Sequence, residues 1–481
     1  MAIRDDVLVV GGGLAGMTAA LAASREGASV RVVTDSESTL QQASGLVDVL
    51  GYPDPHGDDG AREPVPNPFD AVENLPDDHP YRVVGVDALR AGLSVFDDAT
   101  GDLYRGGHTD RNALVPTVGG TVKPTARYPA SVAPGLASDD RTTLLVGFDG
   151  DTDVDAPHLA AHLRAVGVPF AVGGVTVEFP GSLDGTDQQT RLAHALDTDE
   201  DGVRRRLVER VKRSLKRADD DVFGEAGGAD EGDGAGGGGV DGATGGSVEG
   251  FGDVERVGLP AVLGRDRPRQ VRDALAEGLD AAVFELPPAP PSLPGVRLRY
   301  RLRDALREAG VAVTTGNPVV DFDVDVEADA AGGTAAGDAI TTIYADRNGT
   351  RTPYEPGAVV LATGGLVGGG IDSERDAVYE PVFDCPVANP DDRYDWSDED
   401  AFGPHAFARF GVRIDADGRV LDADGDPLYV NLTAAGGVVG GYDAAAEKSA
   451  SGVSLATGYA AGATAAASTS QPTPTDVTVD R

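Results

Sequence analysis

Three glycines, Gly11, Gly13 and Gly16, are the residues whose type and spacing point most directly to chemistry. They follow an apolar run, Val7 to Val10, and precede a small apolar stretch, Met17 to Ala23, which predicts strand, tight turn and helix in that order. In that order each glycine has a task. Gly11 permits the turn, Gly13 lets backbone amides approach a phosphate, and Gly16 lets the helix lie close on the strand. The helix start adds about half a positive charge and unpaired N–H donors. The pattern is that of a site holding the phosphate of a nucleotide or a flavin, against a bare structural turn.

The second mark of such a site is an acidic residue about 20 residues on, ending the second strand and accepting from a ribose hydroxyl. The run Val30 to Val33 is that strand, but the position after it holds Thr34. Asp35 follows one residue later, and a one-residue shift at a strand end turns the side chain to the other face. FMN therefore competes with FAD. Late in the chain, the glycine-rich stretch Ala434 to Gly441, with Gly437 and Gly441, is followed by Ser451 and Gly452 opening an Ala-rich helix. A second helix N-terminus there would suit the pyrimidine edge of a flavin, where negative charge collects on reduction. A glycine-rich packing crossover explains the same segment equally well.

Other candidates carry less. His158 and His162 lie four apart on a predicted helix, but HLAAH lacks the Glu of a zinc-protease motif and no third ligand is evident, so no metal site is expected. His79 and His108 have the titration range of a general base and nothing else in favour of that role, and the catalytic residues stay unassigned. Arg297, Arg299, Arg301 and Arg303 follow a Pro-dense loop. Leu298, Leu302 and Leu306 make that segment a helix, which leaves one or two of the arginines for an anion.

The elements that must position these residues come from a large acidic chain. Asp and Glu number 79 against 40 Lys and Arg, giving a formal charge of −39, a pI near 4.3 and no prospect of a nucleic-acid groove. Lys123, Lys212, Lys216 and Lys448 are the only lysines, and this balance fits a halophilic protein in molar salt, where screening shortens to ~3 Å. One cysteine, Cys385, rules out an internal disulfide and a cysteine-ligated iron–sulfur cluster. No leader pattern precedes Val7 and no window of about 18 apolar residues occurs, so membrane contact is expected to be peripheral.

Strand-like and helix-like runs alternate again at Thr143 to Phe148, Pro157 to Val166 and Phe170 to Phe179. The fold class is therefore α/β: a discontinuous Rossmann-like flavin or dinucleotide-binding domain over 1–140 and 340–470, carrying an inserted α/β lobe over 141–339. Within that lobe 219–252 reads as a low-complexity linker, and 471–481 as a disordered tail. A basic helix at 202–217 should pack by its apolar stripe, with docking to a partner or an anionic membrane as the alternative.

Six segments carry a resemblance: VVGGGLAGMTAAL (9–21), QQASGLVDVLG (41–51), HPYRVVG (79–85), FELPPAPPSLPG (284–295), LATGG (361–365) and NLTAAGGVVGGYD (431–443). Together they resemble the B subunit of anaerobic glycerol-3-phosphate dehydrogenase. The resemblance implies a cytoplasmic oxidoreductase component bearing FMN, with FAD as the alternative. It adds Ser44, Gly45, Thr363 and Gly364 to the cofactor-binding candidates. It also implies partners: an FAD-bearing A subunit, and an iron–sulfur C subunit that holds the complex on the inner face of the membrane. Electrons from oxidation of sn-glycerol 3-phosphate to dihydroxyacetone phosphate would pass through them to quinone. A stand-alone FAD-dependent dehydrogenase of the fumarate reductase or succinate dehydrogenase type, and a non-catalytic scaffold, are the competing readings.

Overall fold

The computed structural model describes residues 2–54, 63–150, 154–181, 188–216, 254–290, 292–329, 336–401 and 403–469. The expected linker at 219–252 and tail at 471–481 lie outside the described residues. Contacts divide the chain into two compact units, the first being Met1–Leu40, Val47–Asn112 and Leu298–Arg481, the second Gln41–Leu46 and Ala113–Arg297.

In the first unit Val7–Val10 is the middle of a five-stranded parallel sheet. Val30–Thr34 and then Ala312–Thr315 lie to one side of it, Ala358–Leu361 and then Leu432–Ala434 to the other. Every residue of Val7–Val10 and Ala358–Leu361 is buried, as expected for apolar runs covered on both faces. The chain leaves the central strand to one side first and to the other later, so the strand order reverses beside Val10. Ligands of open parallel sheets bind at such a reversal, outside the C-terminal strand ends.

Helix Leu14–Arg25 packs along the closing helix Ala450–Thr469, whose small residues allow it; a Cβ on Gly462 would stand 2.2 Å from the Ala19 carbonyl oxygen. Pro80–Thr100 is a long helix. Leu89, Leu93 and Phe96 make its buried stripe, and Gly85, with φ +84, breaks its first turn and weakens the period. A three-stranded antiparallel sheet, Val319–Asp329, Ala336–Arg347 and Thr350–Tyr354, completes the unit.

The second unit has its own parallel sheet, in the order Ala282–Leu286, Arg256–Pro260, Thr143–Phe148, Val172–Val177. Two buried arginines are matched inside it. Arg256 donates to the carbonyls of Pro134, Leu136 and Arg141. Arg297 makes a two-pronged ion pair with Glu285, at 2.7 and 2.9 Å. On the basic helix, Val203–Leu215, the residues Val203, Leu207, Val208, Val211 and Leu215 are buried. Arg204, Arg206 and Arg210 donate to backbone carbonyls at 196–201 and 178–180, so half of its charge staples the helix to its own unit.

Apart from the short excursion at 41–46, the change-over between units falls at 112/113 and 297/298, where 140/141 and 339/340 are the expected bounds. The reason is pairing. Ala312–Thr315 extends the first unit's sheet beside Val30–Thr34, while Ala113–Pro116 pairs with Val122–Thr125 inside the second unit.

Candidate functional site

Three backbone turns converge at the sheet reversal, and glycine is what allows it. Gly11 has φ +119, and a Cβ there would fall 2.1 Å from the Ala362 carbonyl oxygen and 3.0 Å from the Thr363 nitrogen. Gly16 brings helix Leu14–Arg25 onto the strand, since its Cβ would meet the Gly11 oxygen at 2.1 Å. Gly436 lies against Ala15, and Gly437 against Gly364 and Gly365, so the segments 11–16, 362–365 and 436–437 come together at one place.

Gly13 differs from its neighbours. It is the N-cap of Leu14–Arg25, makes no side-chain cap, and a Cβ built on it would meet nothing within 4 Å. Free amides, the positive end of a 12-residue helix and open space in front of it suit a phosphate. Nearby, the Thr363 hydroxyl oxygen is buried and finds no partner among the described residues. Buried hydroxyls are seldom left so, and a cofactor atom would satisfy it. These residues fit a flavin phosphate and its adjoining chain.

At the end of Val30–Thr34 is a small, half-open pocket lined by Gly12, Thr34, Ser36, Glu37, Arg299 and Arg303 among others. The Thr34 hydroxyl donates to the Ser36 carbonyl at 2.9 Å. Asp35 is exposed and not part of the lining. The carboxylate that does line it is Glu37, ion-paired with Arg299 and 3.7 Å from Arg303. Glu37 was not legible as a site residue; the one signal was two arginines four apart on a helix, Leu293–Glu308.

Gly441 packs on the Asp78 carbonyl, and the Gly452 amide donates to the Asp48 oxygen at 2.8 Å. A Cβ on Gly452 would meet the Tyr81 hydroxyl at 2.1 Å, so its smallness serves packing. Ser44 and Gly45 belong to the second unit, where Gly45 lies against Pro294.

His79 is spent structurally. Its Nδ1 accepts from the Tyr81 amide at 3.1 Å, which assigns the proton to Nε2, and Nε2 donates to Glu447 at 3.1 Å. Ser449 and the Asp443 amide also donate to Glu447, so this buried carboxylate has three donors. Burial raises the Tyr81 and Tyr442 phenols far above the neutral range. Burial also pushes the Cys385 thiol up, which keeps it from acting as a thiolate. His158 lies in the first turn of a helix capped by Asp155, and no group of three or more metal-ligating side chains occurs among the described residues. No described helix is long and apolar enough to cross a membrane.

Compared with known families, residues 6–453 match the FAD binding domain. The B subunit of a probable anaerobic glycerol-3-phosphate dehydrogenase of Halobacterium salinarum is 54% identical over 470 residues, covering 97% of this chain and 99% of that protein. The anaerobic glycerol-3-phosphate dehydrogenase B subunit of Yersinia enterocolitica is 25% identical over 475 residues, covering 94% and 96%. Among solved structures, 3-ketosteroid delta1-dehydrogenase from Sterolibacterium denitrificans aligns over 97% of this chain and 100% of that one, at 12% identity and a TM-score of 0.39.

Proposed function

This chain belongs to the FAD binding domain family and, within it, to the family of B subunits of anaerobic glycerol-3-phosphate dehydrogenase, and on that premise we propose which flavin it holds, with which residues, and where its electrons go. It is a flavoprotein oxidoreductase component of that enzyme. The cofactor is FMN. Its phosphate sits on the amides ahead of Leu14–Arg25, with Gly11, Gly13 and Gly16 making room, and Thr363, Gly364 and Gly437 wall the flavin side of the place. The open space in front of Gly13, at an uncapped helix start, is the observation that carries this reading.

When bound, the flavin supplies a two-electron acceptor. Oxidation of the secondary alcohol of sn-glycerol 3-phosphate to the ketone of dihydroxyacetone phosphate releases two electrons and two protons. This chain has no means of relaying those electrons alone, because its one cysteine cannot ligate a cluster. They pass to membrane quinone through an FAD-bearing A subunit and an iron–sulfur C subunit, and the iron–sulfur partner is what holds the assembly at the cytoplasmic face of the membrane.

The test is to purify the full chain in molar KCl and identify the flavin that acid releases. One FMN per chain is expected, and stoichiometric FAD would overturn the assignment. Membranes should reduce quinone with glycerol 3-phosphate only when all three subunits are present. Turnover by this chain alone at the rate of the complex would sink the hetero-oligomer reading.

A further inference from the structure

We propose that the ion pair between Glu37 and Arg299 locks the ribose-reading end of the nucleotide fold, so that the site takes a mononucleotide and turns away the adenosine half of a dinucleotide. This rests on the flavin reading above and assigns its selectivity to named residues. A dinucleotide fold needs an acceptor at the end of the second strand, where an acidic side chain takes the hydrogen bonds of the ribose hydroxyls. Here the strand ends in Thr34, whose hydroxyl already donates to the Ser36 carbonyl and whose side chain covers Gly12 at 3.3 Å from where a Cβ would stand.

The carboxylate that reaches the cavity is Glu37, and it is taken. Arg299 donates to it through Nη1, and Arg303 stands 3.7 Å away. Being four residues apart on Leu293–Glu308, the two arginines present one face to it. Arg299 is only 8% exposed, its Nε is buried without an acceptor among the described residues, and its guanidinium lies over the Tyr300 ring at 4.9 Å, so Glu37 is the carboxylate that holds it. For Glu37 to accept from a ribose it would exchange a charge-assisted bond for neutral ones and strand a desolvated cation. A ribose entering the cavity therefore meets guanidinium donors where it needs a free acceptor. A mononucleotide ends at its phosphate, at Gly13, and makes no demand on the cavity.

The experiment uses the full chain, stripped of flavin in molar KCl and titrated separately with FMN and FAD, with quenching of flavin fluorescence as the readout. For the native chain, FAD should bind about 100-fold more weakly than FMN, the size an unmatched buried polar group carries. The double variant Arg299→Ser/Arg303→Ser frees Glu37 and should cut that ratio by about tenfold or more, and adding Glu37→Ala to it should restore the ratio. Arg299→Lys keeps the cation and should keep the ratio. Glu37→Ala alone, at a half-exposed residue and independent of whether the double variant folds, should leave FAD excluded; admission of FAD by it would overturn the lock. A native ratio near one would sink the lock and the mononucleotide reading together. A high native ratio that survives in a double variant melting at the native temperature would sink the lock alone.

Discussion

Each of the two units opens a parallel sheet with a strand followed by a helix, and the two openings differ in the turn and in the residue that caps the helix. In the first, Val7–Val10 leads to Leu14–Arg25 through Gly13, which offers no side chain to the helix. In the second, Thr143–Phe148 leads to Ala156–Ala165 through Asp155, whose carboxylate accepts from the His158 amide. The same orphan donors exist at both helix starts. One unit satisfies one of them internally with a carboxylate, whose charge also repels anions. The other leaves them free, which is a cost unless something else binds. On the proposed reading, topology alone does not make a cofactor site; the glycine turn and the empty cap act together.

The sharpest way to break this contrast is to move the cap. Gly13→Asp would give the first helix the acid that the second one has, and the carboxylate would occupy the place and the donors that the phosphate needs. Loss of flavin binding by more than about 100-fold is expected, the scale of losing several charge-assisted bonds and adding repulsion. Fluorescence titration with FMN reads it, and a melting temperature at or above that of the stripped native chain shows that the helix itself has gained. Retention of flavin by a folded Gly13→Asp chain would remove the phosphate assignment.

The second unit holds its charges for structure, and Arg297 is the place to test that. Burial pushes the Glu285 carboxyl up, and Arg297 beside it more than offsets this, holding it below the usual carboxylate range. A depressed folded value means that the pair contributes stability above that range and loses it as pH falls through the folded value. Arg297→Ala leaves a buried carboxylate without its cation, at a cost of about 3–5 kcal/mol. The sign of the pH dependence should then invert, because an unpaired buried carboxyl has a raised folded value and loses stability as pH rises. Thermal melts at pH 5 and pH 8 check this: the variant should melt higher at pH 5, and a variant indifferent to pH would show that Glu285 is not the group responsible.

How much of this contrast the sequence carries depends on the range of the interaction concerned. The Gly11, Gly13, Gly16 turn is legible because strand, turn and helix are consecutive, and the paired runs at Thr143 to Phe148 and Pro157 to Val166 are legible for the same reason. Glu37 with Arg299 is not, because 262 residues separate partners that only the sheet and helix Leu293–Glu308 bring together. Gly452 misleads. A glycine opening a helix looks like room for a ligand, and the residues that fill its space, Val49 and Tyr81, come from far earlier in the chain. The boundary at 297/298 escapes as well, since the strand Ala312–Thr315 is too short and too polar to announce which sheet it joins.

The smallest expected effect comes from the other half of the cap exchange. Asp155→Ala removes the acceptor from the His158 amide and leaves the second unit's helix Ala156–Ala165 with one more unsatisfied donor. Loss of such a cap costs about 1 kcal/mol. Pro157 near the helix start limits the damage, because a proline there lacks a donor that would otherwise need a partner. Ala156, Leu159, Ala160 and Leu163 still bury the helix face, so the fold is expected to survive with a melting temperature a few degrees lower. Flavin binding should not move, since the first unit's turn is untouched. The variant is informative in a second way: it recreates an uncapped helix start beside a parallel strand, but without the glycines that let backbone amides approach a phosphate. If Asp155→Ala acquires affinity for FMN or inorganic phosphate, an empty cap is sufficient for a site. If it acquires none, the glycines at 11, 13 and 16 are what separate the two openings, and that is the outcome expected.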